Sequence, residues 1–244
     1  LVWMEAPGST SMEVCDMLSI AAIAHEAGAL AGCDNTWASP LLCKPLQLGV
    51  DVVAEALTKY VGGHSDLLLG SITFADFDLY AKLRRQLANL GVGVSPDDCS
   101  LALRGLETMA LRMRHVGGVA SEFASRLAGM IGPDKVLYPA LEGSVGHEFW
   151  KRDFTGASGL FTIKAAVSDT SVLDRALDGL NCFAIGASWG GTRSLVAPMS
   201  LAGERALRAV DADMIYLRVS IGMESADELW ADIAGFVRAL DGHR

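Results

Sequence analysis

The stretches ALAGCDNTW (residues 29–37) and VDVVAEALTK (residues 50–59) each begin with a short apolar run, at residues 29–34 and 50–57, and each carries a chemically active side chain at or just after the end of that run. Asp34 closes the first run and Lys59 follows the second. Each run has the length of a strand, and neither alternates between apolar and polar residues as a half-buried strand would. Near-continuous apolar strands are typical of a parallel sheet that helices cover on both faces.

The residues around these two runs extend the same pattern. Val2–Glu5 reads as an earlier strand, and residues 14–27 carry apolar side chains at helical spacing up to Gly28. Residues 67–74 form a fourth apolar run. The strand–helix–strand order predicts an α/β fold built on a parallel sheet.

Beyond this region the pattern becomes helical and then mixed. Residues 77–90 predict one helix, and residues 97–131 predict a long helix that starts after Ser95-Pro96 and bends at Gly117-Gly118. The remaining expected elements are strands at 136–138, 159–163 and 214–221 and helices at 172–180 and 227–240. We therefore expect a second, α+β domain that the long helix joins to the first.

The composition excludes several classes of protein. The 244 residues carry a net charge of −9, which disfavours partners such as nucleic acid or an anionic membrane. No apolar run approaches the roughly 20 residues that a membrane span needs. The five cysteines are scattered and form no metal-binding pair, so we expect no metal site and a cytoplasmic location.

Asp34 and Lys59 are the candidate reactive residues. Both follow strands of the expected parallel sheet, and the carboxyl edge of such a sheet is where α/β proteins bind ligands. A lysine that forms an imine and a carboxylate that keeps a ring nitrogen protonated are what pyridoxal phosphate requires. On spacing alone, a surface ion pair between two loop ends remains an equal alternative.

Motifs along the whole chain extend this interpretation. They are Glu5-Ala6-Pro7-Gly8-Ser9, Asp34-Asn35-Thr36-Trp37-Ala38, Thr58-Lys59-Tyr60, Gly63-His64-Ser65-Asp66, Arg104-Gly105-Leu106, residues 146–156 (GHEFWKRDFTG), Ser188-Trp189-Gly190-Gly191, and Arg218 with Ser220-Ile221-Gly222. Together they resemble the Cys/Met-metabolism family of pyridoxal-phosphate enzymes. The turn at residues 7–9 and the 146–156 block are most similar to the bacterial cystathionine β-lyases of that family.

The resemblance implies a fold and roles for the cofactor-binding residues. The fold would be the aspartate-aminotransferase-like fold type I, with a partial parallel or mixed sheet in the cofactor domain. Lys59 would form the covalent imine with the cofactor and act as the acid–base group. Asp34 would pair with the ring nitrogen, Thr58 would contact the phosphate, and Thr36 would lie close to the ring face.

The resemblance also implies a substrate site. Arg218 would bind the substrate α-carboxylate, a planar task that suits a guanidinium. Ser188 and Trp189 would line the pocket beside it. The alternatives are that Trp189 is a core residue and that Arg218 forms a structural ion pair. For residues 149–153 we favour a purely structural role in the second domain.

The implied activity is β-elimination at the carbon–sulfur bond of L-cystathionine, which yields homocysteine, pyruvate and ammonia. The alternatives are a γ-synthase, a γ-lyase, a cysteine-S-conjugate β-lyase, or an inactive module that serves only subunit association. The resemblance implies a homo-oligomer, a dimer or tetramer. It also implies a division into residues 1–105 of the large cofactor domain and a small domain of residues 106–244.

The chain departs from the family pattern at several positions. Ala56 replaces a serine, Ala88 replaces a tyrosine and Arg193 replaces a glutamate that relatives carry at these places. The chain also opens as a strand already under way, without the preceding segment that supplies a phosphate-binding turn and a stacking tyrosine in the family. We therefore expect it to be the C-terminal part of a longer enzyme.

Overall fold

A computed structural model describes residues 1–166, 170–201 and 214–241. The strands of these residues are β1 (Val2–Glu5), β2 (Ala31–Asp34), β3 (Val52–Ala56), β4 (Gly70–Phe74), β5 (Val136–Leu137), β6 (Leu160–Ala166), β7 (Ala184–Ile185), β8 (Leu195–Met199) and β9 (Met214–Ser220). The helices are α1 (Met17–Glu26), α2 (Ser39–Leu42), α3 (Phe77–Asn89), α4 (Pro96–Ile131), α5 (His147–Asp153), α6 (Thr170–Asp178) and α7 (Ala226–Asp241).

The first sheet has the order β1-β2-β3-β4. Strands β1, β2 and β3 are parallel, as predicted, so their carboxyl ends meet at one edge. Strand β4 is antiparallel to β3, which the apolar pattern did not indicate. The difference arises because an apolar run has the same composition in either direction, whereas the direction of a strand depends on the connection that precedes it.

The second sheet has the order β5-β6-β9-β8-β7 and is mostly antiparallel. The short strands β7 and β8 were not predicted. Strand β8 reads LVAPM and contains a proline, which weakens the strand pattern at that position. Strand β9 lies between β6 and β8, so Arg218 occupies a central strand with Thr162 and Ala197 beside it.

Helix α4 runs from the first half of the chain to the second. Ser95 caps it, since its hydroxyl accepts a hydrogen bond from the Asp98 amide at 3.1 Å, and Pro96 stands at its first position. The helix is continuous through Gly117-Gly118, and the bend expected there stays a prediction. A Cβ on Gly117 would lie 2.2 Å from the Ala157 carbonyl oxygen, so this glycine permits a close approach of the two backbones.

The two halves of the chain also meet through hydrogen bonds near the carboxyl edge of the first sheet. The Trp37 indole donates to the Leu160 carbonyl at 3.1 Å, and the Gly159 amide donates to the Tyr60 hydroxyl at 3.0 Å. Residues 149–153, predicted to be a structural segment, lie in α5, where Arg152 pairs with Asp16 at 2.7 Å. The domain boundary expected at residue 105 falls inside α4 and stays a prediction.

Helix and strand ends differ by a few residues from their predicted positions. Helix α1 begins at Met17 rather than at residue 14, because the Asp16 side chain caps it by accepting from the Ser19 amide. It ends before Gly28, which adopts a left-handed φ of 69°. None of the described helices combines the length and apolar character needed to cross a bilayer.

Candidate active site

Lys59 lies in the turn that follows β3. Its amide donates to the Ala56 carbonyl at 3.0 Å, and its Nζ donates to the Ser188 hydroxyl at 2.9 Å. The amine also lies 5.3 Å from the centre of the Trp189 ring. The structure thus brings Lys59 together with two predicted site residues, Ser188 and Trp189, that lie more than a hundred positions further along the sequence. Burial, with a smaller contribution from Arg218, lowers the pKa of the Lys59 amine.

Arg218 is a buried cation beside this turn, with 8% of its surface exposed. Its Nη1 donates to the Ser9 carbonyl at 3.1 Å, and its Nη2 donates to the Ala187 carbonyl. The salt bridges of the described residues do not include Arg218. Burial lowers the pKa of the guanidinium, and the nearby Glu5 opposes that effect. Since a guanidinium has five N–H donors, the contacts with Ser9 and Ala187 leave capacity for a carboxylate ligand.

Asp34 stands at the carboxyl end of β2, where its Oδ1 accepts a hydrogen bond from the Thr36 amide at 2.9 Å. The Thr36 hydroxyl in turn accepts from the Ala56 amide at 2.8 Å, so the ends of β2 and β3 are linked. Asp34 also lines a cavity of about 730 Å³ together with Ala54 and Ala56. Its carboxylate is therefore held by a backbone amide, and the residue borders the cavity.

Carboxyl groups around Asp34 respond to its charge. Burial, reinforced by Asp34, raises the pKa of Glu5, while hydrogen bonds from Ser9 and the charge of Arg218 oppose the rise. Burial also raises the pKa of Glu55 to about 7, with an opposing hydrogen bond from Asn35 and a further increase from Asp34. This edge of the sheet therefore groups three acidic side chains, of which Glu5 and Glu55 retain their protons to a higher pH than an exposed glutamate does.

The Thr58 hydroxyl is engaged with the backbone. It donates to the Leu69 carbonyl at 3.2 Å and accepts from the Leu69 amide at 3.0 Å. A hydroxyl has only one proton, so in this arrangement Thr58 can offer a phosphate group no hydrogen bond. Its predicted phosphate contact stays a prediction. The neighbouring Ala56 carries no hydroxyl.

Trp189 has two neighbours that match its two proposed roles. Its ring lies 5.4 Å from the Tyr60 ring and packs against the hydrophobic core. The same ring faces the Lys59 amine. The sequence interpretations of Trp189 as core residue and as pocket residue are therefore compatible.

Two residues of the site were not assigned a role from the sequence. Ser9 contributes the carbonyl that receives Arg218, and Glu5 lies within electrostatic reach of both Arg218 and Asp34. Both belong to the Glu5–Ser9 motif, which contributed to the family resemblance but for whose residues no role was predicted. A backbone carbonyl carries no side-chain information, so Ser9 gave no signal of its contact with Arg218.

Comparison with known proteins identifies the family of this site. The model of the Cys/Met metabolism PLP-dependent enzymes matches residues 1–237. The chain belongs to this family. The Cys/Met metabolism family is dependent on pyridoxal phosphate, and the donor set described above fits that group. Lys59 offers an amine of lowered pKa, and Asp34 offers a carboxylate that the Thr36 amide orients.

Individual relatives within the Cys/Met metabolism family have different activities. A cystathionine β-lyase of Escherichia coli is 38% identical and aligns with 98% of this chain and 62% of its own length. An L-alanine/L-glutamate racemase of Wolbachia pipientis is 39% identical, with 96% of this chain and 58% of the relative covered. The chain thus spans about three fifths of the length of these curated relatives.

A solved structure shows the same fold. The cystathionine γ-synthase of Xanthomonas oryzae, in complex with aminoacrylate and cysteine, superposes with a TM-score of 0.84 at 32% identity. The match covers 98% of this chain and 63% of that one. The predicted fold type I architecture is therefore confirmed.

The described residues contain no group of three or more His, Cys, Asp or Glu side chains arranged for a metal ion.

Proposed function

We propose that this chain carries the reaction centre of a pyridoxal-phosphate-dependent β-lyase that cleaves the carbon–sulfur bond of L-cystathionine. The products are homocysteine, pyruvate and ammonia. The observation that carries the proposal is the Lys59 amine, held at 2.9 Å from the Ser188 hydroxyl and close to the buried Arg218. A base and a carboxylate-binding cation side by side suit an α-amino acid that loses its Cα proton.

When bound, pyridoxal phosphate supplies an aldehyde carbon for an amine and a ring that accepts the electron pair released at Cα. Asp34 would hold a proton on the ring nitrogen, with its carboxylate oriented by the Thr36 amide. Thr36 would lie close to the ring face. Thr58 would contact the phosphate only if its hydroxyl gave up the hydrogen bond that it donates to the Leu69 carbonyl.

Lys59 moves the protons of the reaction. Because its pKa is lowered, a larger fraction of the amine is unprotonated near neutral pH than for an exposed lysine. The free amine removes the proton from the substrate Cα. The resulting ammonium then donates that proton to the sulfur atom that leaves from Cβ, so one side chain serves both steps. The Ser188 hydroxyl orients the amine between them.

Arg218 binds the substrate α-carboxylate through the N–H groups that Ser9 and Ala187 leave free. The two carbonyls hold the guanidinium plane in place, which favours a bidentate contact. Ser188 and Trp189 form the wall of the pocket next to that carboxylate. The selectivity for a β-elimination substrate rests on the similarity of the 146–156 block and the turn at residues 7–9 to cystathionine β-lyases.

The assembly and location are part of the same proposal. We propose a homo-oligomer in the cytoplasm, with the boundary between cofactor domain and small domain within α4. Light scattering of the purified protein measures the oligomeric state directly, and a monomeric mass would contradict the proposed homo-oligomer.

The experiment supplies pyridoxal phosphate and cystathionine to the protein that carries this chain and identifies the products. Pyruvate supports β-elimination, whereas 2-oxobutyrate indicates a γ-lyase and interconverted enantiomers of alanine or glutamate indicate a racemase. We expect Lys59→Ala to abolish turnover and the visible absorbance of the bound cofactor. The exposed Lys44→Ala serves as the matched control and retains both.

Substantial lyase activity in Lys59→Ala would contradict the assignment of the base. Failure of the unmutated protein to bind the cofactor would instead favour a module that contributes only to subunit association.

A further inference from the structure

Arg112, on α4, is a second buried cation, and it lies outside the set of residues assigned to cofactor or substrate. Only 7% of its surface is exposed. Its Nε donates to the Thr108 hydroxyl at 3.0 Å, and its Nη2 donates to the carbonyls of Gly105 at 2.8 Å and Val61 at 3.4 Å. Among the described residues no carboxylate forms an ion pair with it. A buried charge without a counterion is costly, so its partners have to be considered closely.

Two of these partners belong to α4 itself, and the third belongs to the turn that carries Lys59. The guanidinium also fills the space beside Gly63, where a Cβ would lie 2.0 Å from Nη1. Gly63 adopts a left-handed φ of 69°. Next to it, a Cβ on Gly105 would lie 2.1 Å from the Val61 carbonyl oxygen, so α4 touches the backbone of the turn directly.

Backbone hydrogen bonds join residues 61–63 to Lys59 and to Leu57, which precedes it in the same turn. The Gly63 amide donates to the Lys59 carbonyl at 2.8 Å, and the Gly62 amide donates to the Leu57 carbonyl at 2.7 Å. On the opposite side, a Cβ on Gly190 would lie 2.9 Å from the Lys59 carbonyl carbon. The turn is therefore enclosed between α4 and the loop that carries Ser188.

We propose that Arg112 is a positioning residue that sets the place of the Lys59 amine opposite Ser188. This proposal rests on the proposed function, because the Lys59 amine that Arg112 positions is the amine that reacts. Arg112 reaches no substrate or cofactor. It acts by fixing the Val61 carbonyl and the space beside Gly63, and a displaced turn would move the Lys59 amine away from the Ser188 hydroxyl. Displacements of about 1 Å in such groups reduce rates by roughly a hundredfold.

The test compares Arg112→Met and Arg112→Lys with Arg114→Met, an exposed arginine two positions along α4. The first measurement uses the full protein with the cofactor removed. Reductive methylation by formaldehyde and cyanoborohydride is followed by peptide mass spectrometry across pH, with the exposed Lys44 as internal reference. This readout reports the free amine of Lys59 in each variant that remains folded under the labelling conditions.

We expect Arg112→Met to decrease the Lys59-to-Lys44 labelling ratio at neutral pH at least threefold. The midpoint of the Lys59 profile moves upward, because an amine that leaves its half-buried place near Arg218 regains an ordinary pKa. Arg112→Lys gives a smaller decrease. Its ammonium can still donate to one of the two carbonyls, although it cannot reach those of both Gly105 and Val61. Arg114→Met leaves the ratio unchanged. In the loaded enzyme Arg112→Met lowers kcat at least tenfold and changes KM less than twofold.

A folded Arg112→Met variant whose labelling ratio and kcat equal those of Arg114→Met would overturn the proposal. If Arg112→Met fails to fold, Arg112→Lys is judged by the same ratio, and failure of both to fold would make Arg112 a stability residue only. A protein that shows the altered labelling ratio but no lyase activity would refute the proposed function and leave the positioning role of Arg112 intact.

Discussion

Replacing Glu55 with glutamine should remove a pH dependence from the stability of this protein. Glu55 lies on β3, and its Oε1 accepts a hydrogen bond from the Asn35 amide nitrogen at 3.3 Å. Burial raises its pKa from 4.5 to about 7 in the folded protein; the Asn35 hydrogen bond opposes this rise, and Asp34 adds to it. Glutamine keeps the acceptor oxygen for Asn35 and has no proton to lose.

The sign and size follow from linkage. Between its unfolded and folded pKa values the unfolded chain has lost the Glu55 proton while the folded protein still holds it. The free energy of unfolding therefore falls as pH rises through this window and is constant above it. A shift of roughly 2.5 pKa units corresponds to about 3 kcal/mol in total. Of this, about 2.5 kcal/mol is lost between about pH 5 and pH 8.

The assay is urea unfolding of the unmutated protein and of Glu55→Gln at these two pH values. The advantage of Glu55→Gln in free energy of unfolding should grow by about 2.5 kcal/mol from the lower to the higher pH. Glu26→Gln, at the exposed end of α1, is the matched control. Its free energy of unfolding relative to the unmutated protein should differ between the two pH values by less than about 0.5 kcal/mol. An advantage of Glu55→Gln that is equal at both pH values would refute the buried, proton-retaining carboxyl group.

The structure makes two further predictions about stability. Gly118→Ala should stabilise α4 by about 0.5–1 kcal/mol because a Cβ there meets nothing within 4 Å, whereas Gly117→Ala should destabilise it by more than about 1 kcal/mol because of the Ala157 carbonyl. Thermal unfolding of the pair checks this, and equal effects would contradict the close approach. Asp232→Asn should cost about 1–3 kcal/mol, since its carboxylate accepts from the amides of Asn181, Cys182 and Phe183. Burial raises the pKa of Asp232, but these hydrogen bonds outweigh it and lower the pKa, so the loss of unfolding free energy in Asp232→Asn should diminish as acid protonates the carboxylate. Asp227→Asn on the same helix is the control. A loss of unfolding free energy that does not depend on pH would argue against the anionic contact.

The longer helices and most strands could be predicted from local sequence. The long helix α4 was located to within a residue at its start, because Ser95-Pro96 is a strong N-terminal signal and its apolar stripe repeats at helical spacing. The pair Asp34 and Lys59 could also be selected, since both follow apolar runs with strand length. Short elements such as α2 and β7, with four and two residues, carry too few positions for any period to be read.

Contacts between distant parts of the chain could not be read in the same way. The Lys59 amine meets Ser188 across 129 positions, and Arg218 meets the Ser9 carbonyl across 209. The family resemblance indicated Ser188 and Arg218 as site residues, but it did not indicate their partners. Nothing in the sequence pattern marked Arg112, whose neighbours in α4 have the composition of an ordinary amphipathic helix.

The sequence by itself was enough to locate the longer elements of this protein and to select the candidate lysine and aspartate, because helix caps, hydrophobic period and strand ends are properties of neighbouring residues. Only the tertiary structure decided the direction of β4, the close approach at Gly117 and the enclosure of the Lys59 turn by α4 and the Ser188 loop. These features depend on which surfaces pack together, and backbone carbonyls and glycines that receive such contacts have no side chain through which a pattern could reveal them.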